Sequence, residues 1–382
     1  MKKIVRITTV PVSLKILLKG QLRFMSQYFT IIGISSDTEE MKKISKEEDI
    51  TTYAVDMTRT ISPFADLKSV YNLYKVLKKE KPDIVHSHTP KAGIVGMLAA
   101  YLAGVPIRLH TVAGLPLMEA SGTKRKILNI VESLTYKFAT RVYPNSKGLN
   151  DFILESKFTG SNKLKVIGNG SSNGISIKTF DPQLFSDERN LKKKLEISDD
   201  DFVFIFVGRL VGDKGINELI AAYSNIRNEN TKLLLVGTFE EHLDPLKEET
   251  LRKINDFEDV IFVGFQKDVR PFFAISNALV FPSYREGFPN AVMQAGAMGL
   301  PSIVSNINGC NEIIIEGENG LIIPVKDHVK LAEAMKNMIN NKTEYEKMKY
   351  NSRKMIIDRY EQEVVWNALL EEYNSLLKQI KN

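Results

Sequence analysis

A single cysteine, Cys310, occurs among 382 residues. No internal disulfide can form, and the composition suits a reducing compartment. Long apolar runs are absent too. Ile4–Val12 is broken by Arg6 and by polar and proline positions, so no signal peptide is expected. The most apolar helical stretch, Gly93–Gly104, has about half the residues that a membrane-spanning helix needs. The expected location is the cytoplasm. No glycine cluster follows the first apolar run: Thr8-Thr9-Val10-Pro11-Val12-Ser13 leads on, and Gly20 comes late, in Leu18-Lys19-Gly20-Gln21. This argues against the glycine fingerprint of dinucleotide oxidoreductases. Short repeats and low-complexity tracts are also missing. The acidic run Asp199-Asp200-Asp201 stands before a strand pattern, at its amino end. It reads as a solvated turn, and no metal or cofactor is expected.

The length suggests two domains. Hydrophobic residues make up 43% of the chain and charged residues 26%, as in ordinary globular proteins. Apolar runs alternate with helical patterns. Lys3–Val10, Phe29–Ser35, Ile84–His88, Ile107–Val112, Arg141–Pro144 and Leu164–Ile167 read as strands of the first half. Phe64–Lys79 and Thr123–Ala139 read as helices between them. The second half repeats the pattern with strands at Phe202–Val207, Lys232–Val236, Val260–Phe265, Ala278–Phe281, Ser302–Val304 and Leu321–Pro324. Such alternation implies an α/β architecture of two doubly wound, Rossmann-like units with parallel strands and a cleft between them. Turn formers from Asn169 to Gly174 mark the boundary near Asn169–Asp181. Gln362–Lys381 carries apolar residues at helical spacing.

The net charge of +6 is unevenly spread. Residues 1–180 hold 27 Lys and Arg against 14 Asp and Glu, or +13; the remainder holds 25 against 32, or −7. Clusters such as Lys124-Arg125-Lys126 can face anionic lipid at the inner face of a membrane, or simply solvent. The charges are dispersed and no nucleic-acid module is present, so nucleic acid is not an expected partner.

The most informative stretch is Tyr284-Arg285-Glu286-Gly287-Phe288-Pro289-Asn290-Ala291-Val292-Met293-Gln294. It follows the apolar run Ala278–Phe281. Glu286 lies in a short loop made pliable by Gly287, and Pro289 suits the first position of a helix. An acidic group is thus held at the carboxyl end of a strand beside a helix N-terminus, where open α/β sheets bind ligands and phosphates. Upstream, Phe206-Val207-Gly208-Arg209-Leu210-Val211-Gly212-Asp213-Lys214-Gly215 places a guanidinium and an ammonium five residues apart in a glycine-rich loop. Both suit the oxygens of a leaving diphosphate. His110 ends a strand before Gly114 and can offer mixed hydrogen bonding. His86 and His88 share one strand face. No third metal ligand accompanies them, so a structural use is expected, with His88 nearer the cleft. Asn308-Gly309-Cys310-Asn311-Glu312 can present backbone N–H groups to a diphosphate or simply cap a helix.

These motifs resemble the donor site of retaining glycosyltransferases of family 4, which have the GT-B fold. The Glu-Gly-Phe-Pro entry, the small-residue helix and Gly299-Leu300-Pro301 match. Where the family has a second Glu, eight residues after Glu286, this chain has Gln294. The likeness is nearest to bacterial capsule, exopolysaccharide and O-antigen transferases. It implies an N-terminal acceptor domain (1–172), a C-terminal nucleotide-sugar domain (173–361), and a last helix (about 362–382) that packs back on the first domain. Glu286, His110, Arg209 and Lys214 are the implied catalytic residues. Around them, Gly208, Gly287, Phe288, Pro289, Asn290, Asn308, Gly309 and Glu312 would line the donor. Gln294 would hold ribose, and Phe265 with Gln266 the nucleobase. Gly20, Gln21, His88 and Asn169 would complete the diphosphate or acceptor side. The implied reaction is metal-independent transfer from a nucleotide-sugar, chiefly a UDP-sugar, to a glycan on a polyprenyl diphosphate. Two rival readings stand beside it: a UDP-sugar 2-epimerase of the same fold, and a non-catalytic sugar-nucleotide-binding subunit.

Overall fold

The computed structural model describes residues 1–58, 62–185, 188–228, 230–240 and 244–380. The chain divides into two compact units, one formed by Met1–Gly174 with Gln362–Asn382 and the other by Ile175–Glu361.

In the first unit six strands are described: β1 (Lys3–Ile7), β2 (Thr30–Ser35), β3 (Thr51–Ala54), β4 (Ile84–Ser87), β5 (Ile107–Val112) and β6 (Arg141–Pro144). They lie in the order β3-β2-β1-β4-β5-β6 and every pairing is parallel. Parallel neighbours need crossover helices, and these cover both faces of the sheet. All four residues of β4 are buried, as expected for a strand with helices above and below. The order reverses between β1 and β4, the switch point at which an open sheet leaves a crevice at its carboxyl edge.

Two strand expectations need correction. Leu164–Ile167 is not a strand, because only Leu164 makes a bridge, to Val142; β6 is already the edge. The true sixth strand, β3, reads Thr-Thr-Tyr-Ala and is half exposed. It is a short edge strand with little apolar signal. The first strand also stops earlier than expected, at Ile7, because Pro11 opens a helix, Pro11–Leu17.

The second unit repeats the plan with β7 (Phe202–Val207), β8 (Thr231–Val236), β9 (Val260–Gly264), β10 (Ala278–Phe281), β11 (Ser302–Ser305) and β12 (Gly320–Ile323). Their order is β12-β11-β10-β7-β8-β9, so the switch point lies between β7 and β10. Each unit is thus a doubly wound, Rossmann-like α/β fold.

The last helix, Gln362–Gln379, belongs to the first unit. Its Leu369, Leu370, Tyr373, Leu376 and Leu377 share a core with Leu14, Leu18 and Leu22. Gly20, at φ +77°, lies so close to Trp366 of this helix that a Cβ would stand 2.9 Å from the indole. The place of Gly20 is therefore a packing constraint. Among the described residues no helix is long and apolar enough to cross a membrane.

An apolar groove runs along the outside of the first unit, lined by Pro63, Leu67, Val70, Ile94, Leu98 and Leu128 among others. Glu132 of helix Gly122–Phe138 is buried at its base, and burial pushes its carboxyl up to about 7 from an ordinary 4.5. The folded state therefore holds this proton more tightly than the unfolded chain. The group weighs nothing against folding below pH 4.5, and its cost grows between pH 4.5 and about 7 and is level above that. Glu132→Gln is expected to match the parent at pH 4.5 and to exceed it by about 3 kcal/mol at pH 8, read from denaturant unfolding at both pH values.

Candidate functional site

The loops that leave β7 and β10 meet at the switch point of the second unit. After β7 a tight turn, Gly212–Lys214, carries Lys214 to the start of helix Ile216–Ser224. The intervening Gly215 has φ +71°, and a Cβ there would stand 2.1 Å from the carbonyl oxygen of Pro282. Only glycine lets the two loops approach this closely. The approach brings Lys214 Nζ within 2.6 Å of Glu286 Oε1, with both side chains mostly buried. Glu286 is further held by Ser283, whose hydroxyl lies 3.0 Å from the same carboxylate oxygen. Asn308 Nδ2 donates to the Glu286 backbone carbonyl at 2.6 Å. At Gly309, φ +77°, a Cβ would stand 2.6 Å from the Gly287 carbonyl oxygen, so only glycine lets the loop after β11 lie this close to the Glu286 loop.

Arg209 stands just after β7 and is half exposed, with Nη1 2.7 Å from Glu240 Oε2. That hydrogen bond raises the guanidinium above its ordinary pKa. Asp213 pairs with Arg285 at 2.7 Å. The switch point thus gathers three cations, Arg209, Lys214 and Arg285, each opposed by a carboxylate. A phosphate entering here would compete for donors that are already positioned.

The other expected donor residues lie in the same unit. Helix Asn290–Ala297 begins one residue later than expected: Pro289 is its extended cap, and Asn290 is the first helical residue. Asn290 is exposed, and Gln294, one turn on, is half buried. Gly208 follows β7 directly, and Phe288 is half buried against Tyr360 at 5.3 Å between rings. Phe265 follows β9 and is 69% exposed. The Gln266 amide folds back to donate to the Val263 carbonyl at 2.7 Å. Glu312 accepts from the Gly309 N–H at 3.4 Å, so its carboxylate serves its own short helix.

In the first unit the residues divide differently. His110 is buried, 2.8 Å from the Ser87 hydroxyl, and its ring lies against Gly93, where a Cβ would stand 2.6 Å from Cε1. Burial pushes its pKa down to about 4, so the ring is neutral at ordinary pH. His86 is saturated by the Tyr373 hydroxyl at 2.6 Å and Thr111 at 2.7 Å. His88 accepts at Nε2 from Arg6 Nε at 2.8 Å. Gln21 is fully buried, accepts from Arg6, and donates to Ser172 O and Asn173 Oδ1. Its side chain is therefore committed inside the protein. Asn169 is exposed in a turn after β6. Arg6 went unnoticed in the sequence as anything but an interruption. Ser283, Glu240 and Asp213 were likewise missed, since nothing in their spacing indicates a contact with Glu286, Arg209 or Arg285.

Comparison with known proteins agrees with this architecture. Residues 187–355 match the model for glycosyl transferases group 1, and residues 30–170 the glycosyl transferase 4-like domain. The chain is 34% identical to the capsular polysaccharide biosynthesis glycosyltransferase CapM of Staphylococcus aureus, over 99% of this chain and 98% of that protein. It is 32% identical to the UDP-Gal:alpha-D-GlcNAc-diphosphoundecaprenol alpha-1,3-galactosyltransferase of Escherichia coli, over 91% and 92%. Among solved structures, a glycosyltransferase from Rickettsia africae superposes with a TM-score of 0.81 at 20% identity, covering 99% of both chains. Anabaena HepE in complex with UDP gives 0.80 at 19% identity, covering 98% of this chain and 100% of that one. With its two doubly wound units and these relatives, the chain belongs to the group 1, 4-like family of glycosyltransferases and has the GT-B fold.

Proposed function

We propose that this enzyme transfers a sugar from a nucleotide-sugar, a UDP-sugar, to a glycan carried on a lipid diphosphate, with the anomeric configuration retained, in bacterial surface polysaccharide synthesis. The observation that carries the reading is the Lys214–Glu286 contact at the β7–β10 switch point, flanked by Arg209. A UDP-sugar offers a diphosphate for the cations and sugar hydroxyls for the carboxylate, so it can re-partner both members of the pair. Arg209 and Lys214 would stabilise the charge that grows on the departing diphosphate. Gln294 would meet ribose hydroxyls, which an amide can serve as donor or acceptor. The bond from C1 to the diphosphate oxygen breaks, a bond from C1 to the acceptor hydroxyl forms, and the hydroxyl proton leaves with UDP. The relatives with lipid-diphosphate acceptors in their names support this acceptor class. Release of UDP only when a lipid-linked acceptor is present is the expected result of a donor and acceptor screen. Interconversion of the UDP-sugar without transfer would favour the epimerase reading, and neither activity would favour a binding subunit.

Arg209→Ala and Lys214→Ala are each expected to lower kcat by roughly 10²–10³, while EDTA leaves the rate unchanged. Two near-normal mutants, or strict dependence on a divalent ion, would sink the assignment.

Gln294→Glu is expected to be tolerated. Gln294→Leu should raise the donor KM more than it lowers kcat, because ribose is remote from the reacting bond and its contacts act as uniform binding. Steady-state kinetics decide this. A loss confined to kcat would place residue 294 at the chemistry.

Peripheral attachment to an anionic membrane is part of this reading. Lys124 and Lys126 are exposed on helix Gly122–Phe138 beside exposed Ile127 and Ile130, and Phe64 and Leu67 are exposed at the neighbouring groove. Arg125 is a correction to the cluster: it turns inward, donating to Leu117 O at 2.5 Å and Asn129 Oδ1 at 3.1 Å. Binding to vesicles with anionic lipid should weaken between 0.1 M and 1 M salt, as the Debye length falls from ~10 Å to ~3 Å, and in the double change Lys124→Gln, Lys126→Gln. Binding indifferent to both would make the attachment apolar.

A further inference from the structure

The first unit has its own switch point, between β1 and β4, and a cation is buried there with no carboxylate partner among the described residues. Arg6 lies in the central strand β1 and is fully buried. Its Nε donates to His88 Nε2 at 2.8 Å, and Nη2 donates to Gln21 Oε1 at 2.5 Å. Nη1 has no partner among the described residues. A guanidinium in this position is costly unless an anion answers it.

The same contact fixes the state of His88. An arginine Nε–H can only donate, so His88 Nε2 must be the bare, accepting nitrogen and Nδ1 must carry the proton. Burial and the neighbouring charge of Arg6 hold the ring neutral. Its position is set by the His86 ring, 4.1 Å away between centroids, and His86 is itself pinned by Tyr373 and Thr111. The Nδ1–H is therefore a fixed donor, buried and without a partner among the described residues. Ser172 Oγ and the accepting Asn145 Oδ1 are likewise buried without a partner among the described residues. His88, Asn145 and Ser172 line one recess just beyond β4 and β6, and among the described residues no acidic one lines it. With about 20 Å³ of space, the recess takes one oxygen-sized group.

We propose that this recess seats a phosphate oxygen of the acceptor, with His88 Nδ1–H and the Ser172 hydroxyl donating to it. Arg6 is the positioning residue behind them: it supplies the countercharge and fixes the tautomer of His88. The choice of the acceptor as the source of the phosphate rests on the reading above that the acceptor is diphosphate-linked; the recess itself does not.

Long-range ¹H–¹⁵N NMR of the full chain with labelled histidine tests the arrangement, His88→Asn assigning the signal. The expected tautomer is Nδ1–H, and inorganic pyrophosphate should shift the Nδ1 resonance even when UDP is saturating. The opposite tautomer, or a spectrum unmoved by pyrophosphate because an ordered water only occupies the recess, overturns the proposal. So does a shift that UDP abolishes, which would give the recess to the donor. In kinetics, His88→Ala and Arg6→Gln should each raise the KM for a lipid-diphosphate-linked acceptor on the order of 10- to 100-fold, the scale of one charge-assisted hydrogen bond. UDP-sugar affinity should stay within about twofold, and His88→Asn, which keeps a side-chain N–H, should recover part of the loss. An unchanged acceptor KM in folded His88→Ala, or an equal loss of donor affinity, refutes it. If no acceptor is used by the parent enzyme, the proposed function fails while the NMR titration still decides the recess.

Discussion

A parallel sheet covered on both faces leaves polar chemistry almost nowhere to go. Its backbone groups are satisfied within the ladder, and its side chains meet helices above and below. What remains is the carboxyl edge, where strands pass into loops, and above all the switch point, where successive connections part to opposite faces. Both units obey this constraint. In the second, Arg209, Lys214 and Glu286 are drawn to the gap between β7 and β10. In the first, Arg6 and His88 occupy the gap between β1 and β4. The two sites differ in how charge is balanced. The second unit opposes each cation with a carboxylate. The first buries a cation whose described partners are all neutral.

That contrast matters for ligand exchange. A site already paired, as Lys214 is with Glu286, is stable when empty and must exchange one partner for another when it binds. A site with an unanswered charge gains a partner outright. Close loop packing serves the first case: Gly215 against Pro282 and Gly309 against Gly287 hold the pair where both members can be handed to one ligand. The rigid histidine stack serves the second, since His86 is saturated and holds its neighbour in place.

Most of the fold was legible because buried parallel strands are continuous apolar runs. Phe202–Val207 and Ala278–Phe281 needed nothing more. Thr51–Ala54 was not legible, since an edge strand buries too little to require an apolar pattern. Leu164–Ile167 had the composition, but only Leu164 meets the β6 edge, by one bridge to Val142. In the candidate site, the spacing of Arg209, Lys214 and Glu286 marked the loops, because phosphate chemistry demands those residue types. Their partners were invisible. Glu240 and Asp213 look like any surface acids until the fold brings them to Arg209 and Arg285. Arg6 was hidden more deeply: one charge in an apolar strand reads as a blemish, and only its contact with His88 gives it meaning.

The last helix has a consequence for how the molecule is made. Leu369, Leu370, Tyr373, Leu376 and Leu377 complete a core whose other members include Ile4, Leu14 and Leu22. The core of the unit that is synthesised first is therefore incomplete until Gln362–Gln379 has been made. Ile175–Glu361 has all its strands on the chain before then. The core that begins first along the chain is thus the one completed last, after every strand of the other unit has been made.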